Sequence, residues 1–504
     1  MRNSISSIIF LQKLNNKKEW ENFDFEINNN SIYFNCENNN NNFYYSLENI
    51  DIIDEKQSST TFKIIIFNPH QIIFFKTFNL FDKNNILNLF SKFKKFSNIN
   101  NKNFFNNQNL LLKEYLNLQN RNFLPLQLNF PQNYTQELIK SISSKKFPLI
   151  FNEPITTLQK QCESFKNIKI LYESFNEEKT EDKLIYILNY IFSEMYENSC
   201  RILKPFNPIL GETFEFYDKK NNFRYFSEHV QHKPKDISAF FCESEKIIIF
   251  GDTKFESSFK MMKGAYEIEF LTKIHLLFKN QMEFCYNQPK LLLKGIYSGK
   301  VFIIYSGEIY IYNNKDDVVC KINIDEDFNV EGNIYKNNNE NNPIYNIKGK
   351  WNKNVSYSNG EDEEIFFETK DKKIYGKTDD LNYSLSDFTL NLNVVNEELK
   401  NVLPVTDTRL RNDLRLYEEN KIEEAEKEKK KLEQFQRNRH SEFNNNNVIY
   451  EPVYFKMNEN SLSNDKIYEY KGNYFENREK KQFEKEFDIF MIRENKNKEI
   501  IENN

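Results

Sequence analysis

The sequence predicts a mainly β protein with helices: a large, near-closed antiparallel β-barrel, preceded by a small N-terminal β-rich unit. Two patterns carry this prediction. Between residues 224 and 324, short aromatic and β-branched runs follow one another across turn residues, and few helix-length segments separate them. That order favours antiparallel meanders over a parallel α/β sheet. A sheet of so many strands curls and closes on itself, and a large antiparallel barrel encloses a cavity lined by alternate side chains. The second pattern lies in residues 1–98, where strand-like runs alternate with Asn-rich turns and end in one helical repeat.

With 504 residues the chain has room for two or three domains. Its formal net charge of −5 provides no global basic field for nucleic acid, so any anion site must be local. The six cysteines, at 36, 162, 200, 242, 285 and 320, show no Cys-x-x-Cys spacing, which reads as a reduced, cytoplasmic protein. The early apolar run Ile8–Leu11 is too short for a signal sequence, and no run approaches the ~18 residues of a membrane span. Membrane contact is therefore expected to be peripheral.

Three divisions follow: residues 1–98, an Asn-rich linker at 99–134, and a main domain at 135–495. In the first, strands are predicted at Ile8–Leu14, Trp20–Ile27, Ser31–Cys36, Phe43–Leu47, Phe62–Phe67 and Gln71–Thr77, with a helix at Asn84–Phe96. Strands closed by one amphipathic helix resemble a pleckstrin-homology domain. Lys13, Lys17 and Lys18 lie in its first loop, but the next strand, Glu21–Glu26, is acidic, which favours a contact or spacer module over a phosphoinositide binder. In the linker, a short helix is expected around Leu110–Leu118.

In the main domain, Leu138, Ile139 and Ile142 share one face of a short helix, followed by the apolar strip Phe147–Phe151. Thr180–Leu203 has a wide apolar helical face. Strands follow from Arg224 to Ile324, with turns at Gly251-Asp252, Ser306-Gly307 and Asn313-Asn314, then at Tyr345–Trp351 and Glu364–Glu368. A charged helix covers Lys421–His440.

Two stretches carry donors suited to a polyanion. Lys204 stands three residues before Asn207, and His232 and Lys233 stand side by side before Pro234, which marks a strand end. A solvated surface pair is the bland alternative for His232 and Lys233. On the charged helix, Lys429, Glu433 and Arg437 recur every four residues and share one face over about 12 Å, so Glu433 can pair with both cations.

Four segments carry a family resemblance. Phe151-Asn152-Glu153-Pro154-Ile155-Thr156-Thr157-Leu158-Gln159, Lys204-Pro205-Phe206-Asn207-Pro208-Ile209-Leu210-Gly211-Glu212, Glu228-His229-Val230-Gln231-His232-Lys233-Pro234-Lys235 and Leu403–Asp413 resemble motifs of oxysterol-binding-protein-related lipid-transfer proteins. The C-terminal Tyr470–Glu479 is similar to the family's closing segment, with Phe475 where Trp is usual. The resemblance implies a barrel enclosing a lipid tunnel under an N-terminal lid. It also implies transfer of a sterol or glycerophospholipid between membranes in exchange for phosphatidylinositol 4-phosphate. Carried over, Lys204, Asn207, His232, Lys233, Lys429 and Arg437 contact the phosphoinositide headgroup and Glu433 orients its neighbouring cations.

Lys233 departs from the family, which has a second His there, and Lys235 replaces a proline. A barrel that has lost exchange and acts as a lipid sensor or membrane-tethering scaffold is the alternative these two lysines support. No enzyme is expected, because Gly-x-Ser-x-Gly, a Walker loop and metal spacing are all missing. No cofactor or metal is expected either. The nearest histidines, His229 and His232, three residues apart on a strand, would oppose one another.

Overall fold

The computed structural model describes the backbone of seven strands between residues 5 and 77. It also describes residues 114–491 except 116–117, 127–133, 145, 279–281, 337–338, 361, 370–382, 384, 447, 460–461, 464 and 484–486. The chain divides into two compact units, Met1–Asn109 and Leu110–Asn504.

In the first unit, β1 (Ile5–Leu14), β2 (Trp20–Ile27), β3 (Ser31–Cys36), β4 (Phe43–Ser46), β5 (Ile50–Asp54), β6 (Thr61–Phe67) and β7 (His70–Thr77) form one sheet, in the order β4-β3-β2-β1-β7-β6-β5. β5 lies between the strands expected at Phe43–Leu47 and Phe62–Phe67, where no strand was expected. The helix expected at 84–96 lies outside the described residues, as does most of the 99–134 linker.

The second unit opens with α1 (Tyr134–Ser144), β8 (Asn152–Thr156), α2 (Thr157–Glu163), α3 (Lys169–Ser174), α4 (Thr180–Ser199) and β9 (Lys204–Phe206). The main sheet begins with β10 (Thr213–Asp218), β11 (Phe223–Gln231), β12 (Ile237–Ser244), β13 (Ile247–Lys260), β14 (Ala265–Phe270) and β15 (Lys273–Phe278). It continues through β16 (Glu283–Asn287), β17 (Lys290–Lys294), β18 (Phe302–Asn313), β19 (Val318–Ile324), β20 (Asn329–Lys336), β21 (Tyr345–Lys350), β22 (Asn354–Ser358) and β23 (Glu363–Glu368). Last come α5 (Asp387–Asn391), α6 (Glu397–Lys400), α7 (Asn412–Glu418), α8 (Ile422–Asn445), the hairpin β24 (Phe455–Glu459) and β25 (Lys466–Tyr470), and α9 (Tyr474–Glu479).

Every pairing in the main sheet is antiparallel, and the register simplifies it. β13 meets β14 and β15 in one continuous register, Phe255 opposite Phe270 and Phe250 opposite His275. Those two strands are therefore one course broken at Leu271-Thr272. β16 and β17 together span the space between that course and β18. Their break falls at Gln288-Pro289, where Pro289 has no N–H to donate to a ladder. What remains is a meander in chain order from β10 to β23.

Two expected turns are strand interior instead. Gly251 pairs with Phe240 inside β13, and a Cβ there would lie 3.2 Å from the Lys273 carbonyl oxygen. The glycine serves close approach of backbones and not a reversal. Gly307, at φ 108°, is a break within β18, where pairing passes from β17 to β16. Asn313-Asn314 does follow a strand end.

The curl of the sheet is visible in its core. One apolar cluster joins Phe214 of β10 to Phe367 of β23, the two end strands, through side chains of α2 and α4 and of most strands between. Phe165, just after α2, lies 5.5 Å from Tyr225 of β11, while Phe192 of α4 lies 5.7 Å from Phe367. Both ends of the sheet thus turn their inner faces to the same helices, and the sheet is a near-closed barrel.

The helices form for local reasons. α2 starts at a capping box in which Thr156 Oγ1 accepts from Gln159 N–H and Gln159 Oε1 accepts from Thr156 N–H. α4 has Glu181 and Asp182 in its first turn, favourable to the helix dipole, and buries Leu184, Ile187, Leu188, Ile191 and Phe192. α1 sets Leu138 and Ile142 against Ile296 and Val301 in the β17–β18 turn. Among the described residues, no helix is long and apolar enough to cross a membrane.

Gly332 tests the packing of β19 on β20. A Cβ there would lie 2.1 Å from the Lys321 carbonyl oxygen and 2.7 Å from Ile322 Cα. Gly332→Ala is expected to lower stability by about 1–3 kcal/mol through overpacking, seen as a lower urea midpoint.

Candidate functional site

The site is built on loops, and a buried charge network fixes those loops. β8 and β9 run parallel, Asn152 opposite Lys204, and Asn152 Nδ2 donates to the Pro205 carbonyl at 3.1 Å. Past β9, Glu212 is fully buried. Its carboxylate accepts from Ile209 N–H at 2.9 Å, Thr408 Oγ1 at 2.7 Å and Arg411 Nη1 at 2.8 Å. Arg411 also donates to the Asn207 carbonyl at 3.0 Å and pairs with Asp413 at 2.8 Å. Gly211 and Glu212 exchange backbone hydrogen bonds with His229 at the end of β11. The Lys204–Glu212, Glu228–Lys235 and Leu403–Asp413 stretches therefore meet in space.

Glu215 on β10, absent from every motif, is a second hub. It accepts from Tyr474 Oη at 2.7 Å, Arg478 Nε at 2.5 Å and Tyr115 Oη at 2.9 Å. Arg409, held by Asp407 at 2.8 Å, donates to the Glu215 carbonyl at 3.1 Å. Burial alone would raise the Glu215 pKa, but Arg478 and Arg409 hold it below the usual value. Among the described residues no cation hydrogen-bonds to Glu228; burial pushes it up to about 7, against hydrogen bonds from Tyr454 N–H, Val453 N–H and Tyr450 Oη.

On this frame stand the expected headgroup residues. Lys204 Nζ donates to Asn207 Oδ1 at 3.0 Å and lies 5.5 Å from the Phe147 ring centre. Burial, and then the charge of Lys429, lower its pKa to about 8, with Glu433 and Asp236 acting the other way. Lys429 Nζ donates to the Phe147 carbonyl at 2.9 Å. Glu433 lies 3.9 Å from Lys429 and 3.8 Å from Arg437, bracketed as the four-residue spacing predicts. α8 is oriented by a seven-residue stripe, Ala425, Leu432 and Arg439, all buried. That stripe leaves Glu433 and Arg437 exposed and Lys429 half-buried, with Lys429 and Glu433 close to Lys204.

His232 and Lys233 follow the end of β11. His232 Nδ1 lies 2.8 Å from Asp236 Oδ1, and its ring centre is 6.4 Å from that of His440. Lys233 is exposed, and its charge acts on His440: burial first, then Lys233 and His232, lower that imidazole's pKa. Lys235 is paired with Glu256 of β13 and adds no free charge to the mouth. His440 was missed at the sequence level, although it continues the α8 stripe three residues beyond Arg437. Asp236 was missed because nothing in its neighbourhood marks it.

One expectation is overturned. His229 and His232 do not oppose one another. The β11–β12 register runs from His229 opposite Ser238 to Gln231 opposite Ile237, leaving Val230 as an extra, bulged residue. A bulge reverses the alternation of faces beyond it, so two residues three apart turn to the same side. Both histidines approach Asp236, at 3.6 and 2.8 Å.

The sheet encloses an apolar interior, and Lys204, Lys429 and His232, from three separate chain segments, lie near one another. The family model described as oxysterol-binding protein matches residues 134–479, and the chain belongs to that family. Human oxysterol-binding protein-related protein 3 is 30% identical over 358 residues, covering 69% of this chain and 39% of the relative. Oxysterol-binding protein homolog 3 of Saccharomyces cerevisiae is 32% identical over 340 residues, covering 63% of this chain and 31% of the relative. The chain thus spans well under half the length of these curated relatives.

Among solved structures, the Osh1 ORD domain in complex with ergosterol aligns with a TM-score of 0.67 at 25% identity, over 76% of this chain and 97% of that one. The Osh3 ORD in complex with PI(4)P from Saccharomyces cerevisiae aligns with a TM-score of 0.62 at 28% identity, over 74% and 99%.

Arg411 is the cross-link to test. Arg411→Ala leaves Glu212 and Asp413 buried without their cation and is expected to cost about 3–5 kcal/mol, measured by chemical denaturation.

Proposed function

We propose that this chain takes a sterol or glycerophospholipid into its barrel and carries it between membranes, in exchange for phosphatidylinositol 4-phosphate. What supports this reading is the proximity of Lys204, Lys429, Arg437, His232 and Lys233, drawn from three separate segments around Glu433, Asp236 and His440. A lipid tail leaves a bilayer when an apolar cavity receives it, at about 25 cal/mol per Å² kept from water. A charged headgroup needs paired donors wherever it is partly buried. Lys204, Asn207, His232, Lys233, Lys429 and Arg437 supply the donors, and Glu433 orients the two cations beside it. Structures of similar proteins with ergosterol and with PI(4)P support both ligands of the exchange.

Contact with the membrane is peripheral in this reading. Met261 and Met262, between β13 and β14, are exposed. Tyr297, in the turn that α1 packs on, braces that tip by donating to the Met261 carbonyl at 2.8 Å. An apolar tip beside the lid helix, flanked by Lys260 and Lys263, suits a bilayer surface. The second reading, a sensor or tether that binds without exchange, rests on Lys233, a fixed point charge where the family has imidazole. Transfer between two liposome populations separates the two readings.

Extraction from liposomes followed by lipid mass analysis tests the site. The protein is expected to recover phosphatidylinositol 4-phosphate, with Lys204→Ala and His232→Ala each reducing affinity by about tenfold or more. Equal recovery by both variants and wild type would count against the site.

The pKa of about 8 at Lys204 sets a pH dependence. The ammonium is present below that value and lost above it, so headgroup affinity is expected to fall as pH rises through about 8. Lys204→Arg, charged throughout, should flatten the profile between pH 7 and 9, read by the same binding assay at fixed ionic strength.

A further inference from the structure

We infer that His229, His232 and Asp236 form a binding site for a divalent transition-metal ion of the zinc type. The inference goes beyond the lipid reading and uses a different observation, with His232 common to the two sites. His229, His232 and Asp236 each turn one ligand atom inward, and those atoms all lie within 4.8 Å of one another. Asp236 Oδ1 is 2.8 Å from His232 Nδ1 and 3.6 Å from His229 Nε2. Around an ion with bonds of about 2.0–2.1 Å, tetrahedral ligand atoms stand about 3.3–3.4 Å apart. The two separations from Asp236 bracket that value and the His229–His232 separation is within 4.8 Å, so side-chain rotations bring the three onto one ion.

The second observation is the state of His229. Its side chain is 1% exposed, yet among the described residues Nε2, the atom aimed into the cluster, has no partner at hydrogen-bond distance and meets only the Asp236 carboxylate at 3.6 Å. A buried polar atom left unpaired is costly. Its other ring nitrogen, Nδ1, is 2.9 Å from Ser238 Oγ. With Nδ1–H donating to that hydroxyl, Nε2 presents its lone pair to the cluster, the arrangement that outer partners impose on a metal-bound imidazole. The ladder holds it there, since His229 sits opposite Ser238 in the β11–β12 pairing.

The donor set chooses the ion. Two imidazoles and one carboxylate suit zinc and its neighbours, whereas calcium and magnesium require mostly oxygen ligands. His232 and Asp236 are partly exposed, with side chains 30% and 48% accessible, so an ion can enter from solvent. Lys233, the exposed residue next to His232, opposes a cation, and the Asp236 carboxylate offsets it.

Titration of the untagged, chelator-treated full-length chain with cobalt(II), in the absence of lipid, tests the site. One equivalent is expected to bind with the visible d–d absorption of a low-coordinate nitrogen and oxygen site, and zinc should displace it. Asp236→Asn and His232→Ala change partly exposed residues and leave the strand ladder intact. Each is expected to weaken binding at least about tenfold, and Ser238→Ala by about 10–100-fold. Circular dichroism and thermal melting of each variant establish that it is folded. Failure of cobalt to bind, a thiolate charge-transfer band assigning the ion to cysteine, or unchanged affinity in folded Asp236→Asn would each overturn the proposal.

Discussion

Buried arginine–carboxylate pairing holds this protein's working end together. Glu215 gathers Tyr115 from before the barrel, Arg409 from the Leu403–Asp413 loop, and Tyr474 and Arg478 from the C-terminal helix. Glu212 ties the Lys204 loop to Thr408 and Arg411. Arg201 bridges Glu153 and Glu163 behind β8. Segments hundreds of residues apart are thereby held against one end of the sheet. Breaking one member leaves an uncompensated buried charge, which costs far more than a surface pair. The network is consequently a strong constraint on where the loops sit, whatever its net contribution to stability.

This division of labour explains why so many motif residues face inward. Glu153, Glu212, Glu228, Asp407, Arg409, Arg411 and Asp413 are all buried. They position backbone, while Lys204 and His232 of the same stretches, and Lys429 and Arg437 of α8, are half-buried or exposed. The cations there are kept apart by intervening acceptors: Asn207 on Lys204, the Phe147 carbonyl on Lys429, and Glu433 between Lys429 and Arg437. A phosphate entering such a site exchanges these weak partners for charge-assisted ones.

The same geometry gives the mouth two faces of opposite chemistry. One is a set of ammonium and guanidinium groups suited to phosphate. The other, created by the bulge at Val230, brings two imidazoles to one carboxylate, and His232 is shared between the two. Lys235, three residues beyond His232, is instead paired with Glu256.

Sequence by itself determined whatever depends on near neighbours. The capping box at Thr156, the apolar face of α4, the ion-pair stripe on α8 and the end of β11 before Pro234 are all local, because hydrogen bonds three or four residues apart and helical spacing set them. The four motif stretches were legible as words, so the family could be named from them. Tertiary structure alone decided the rest. It placed Gly251 and Gly307 within strands, because neighbouring backbones and not local propensity determine whether a glycine ends a strand. It made Glu215 a hub, since a carboxylate on a strand shows no sign in sequence of the arginines that will reach it from residues 409 and 478. It turned His229 and His232 to one side, because a one-residue shift of register is a property of two strands together and cannot be read from either alone.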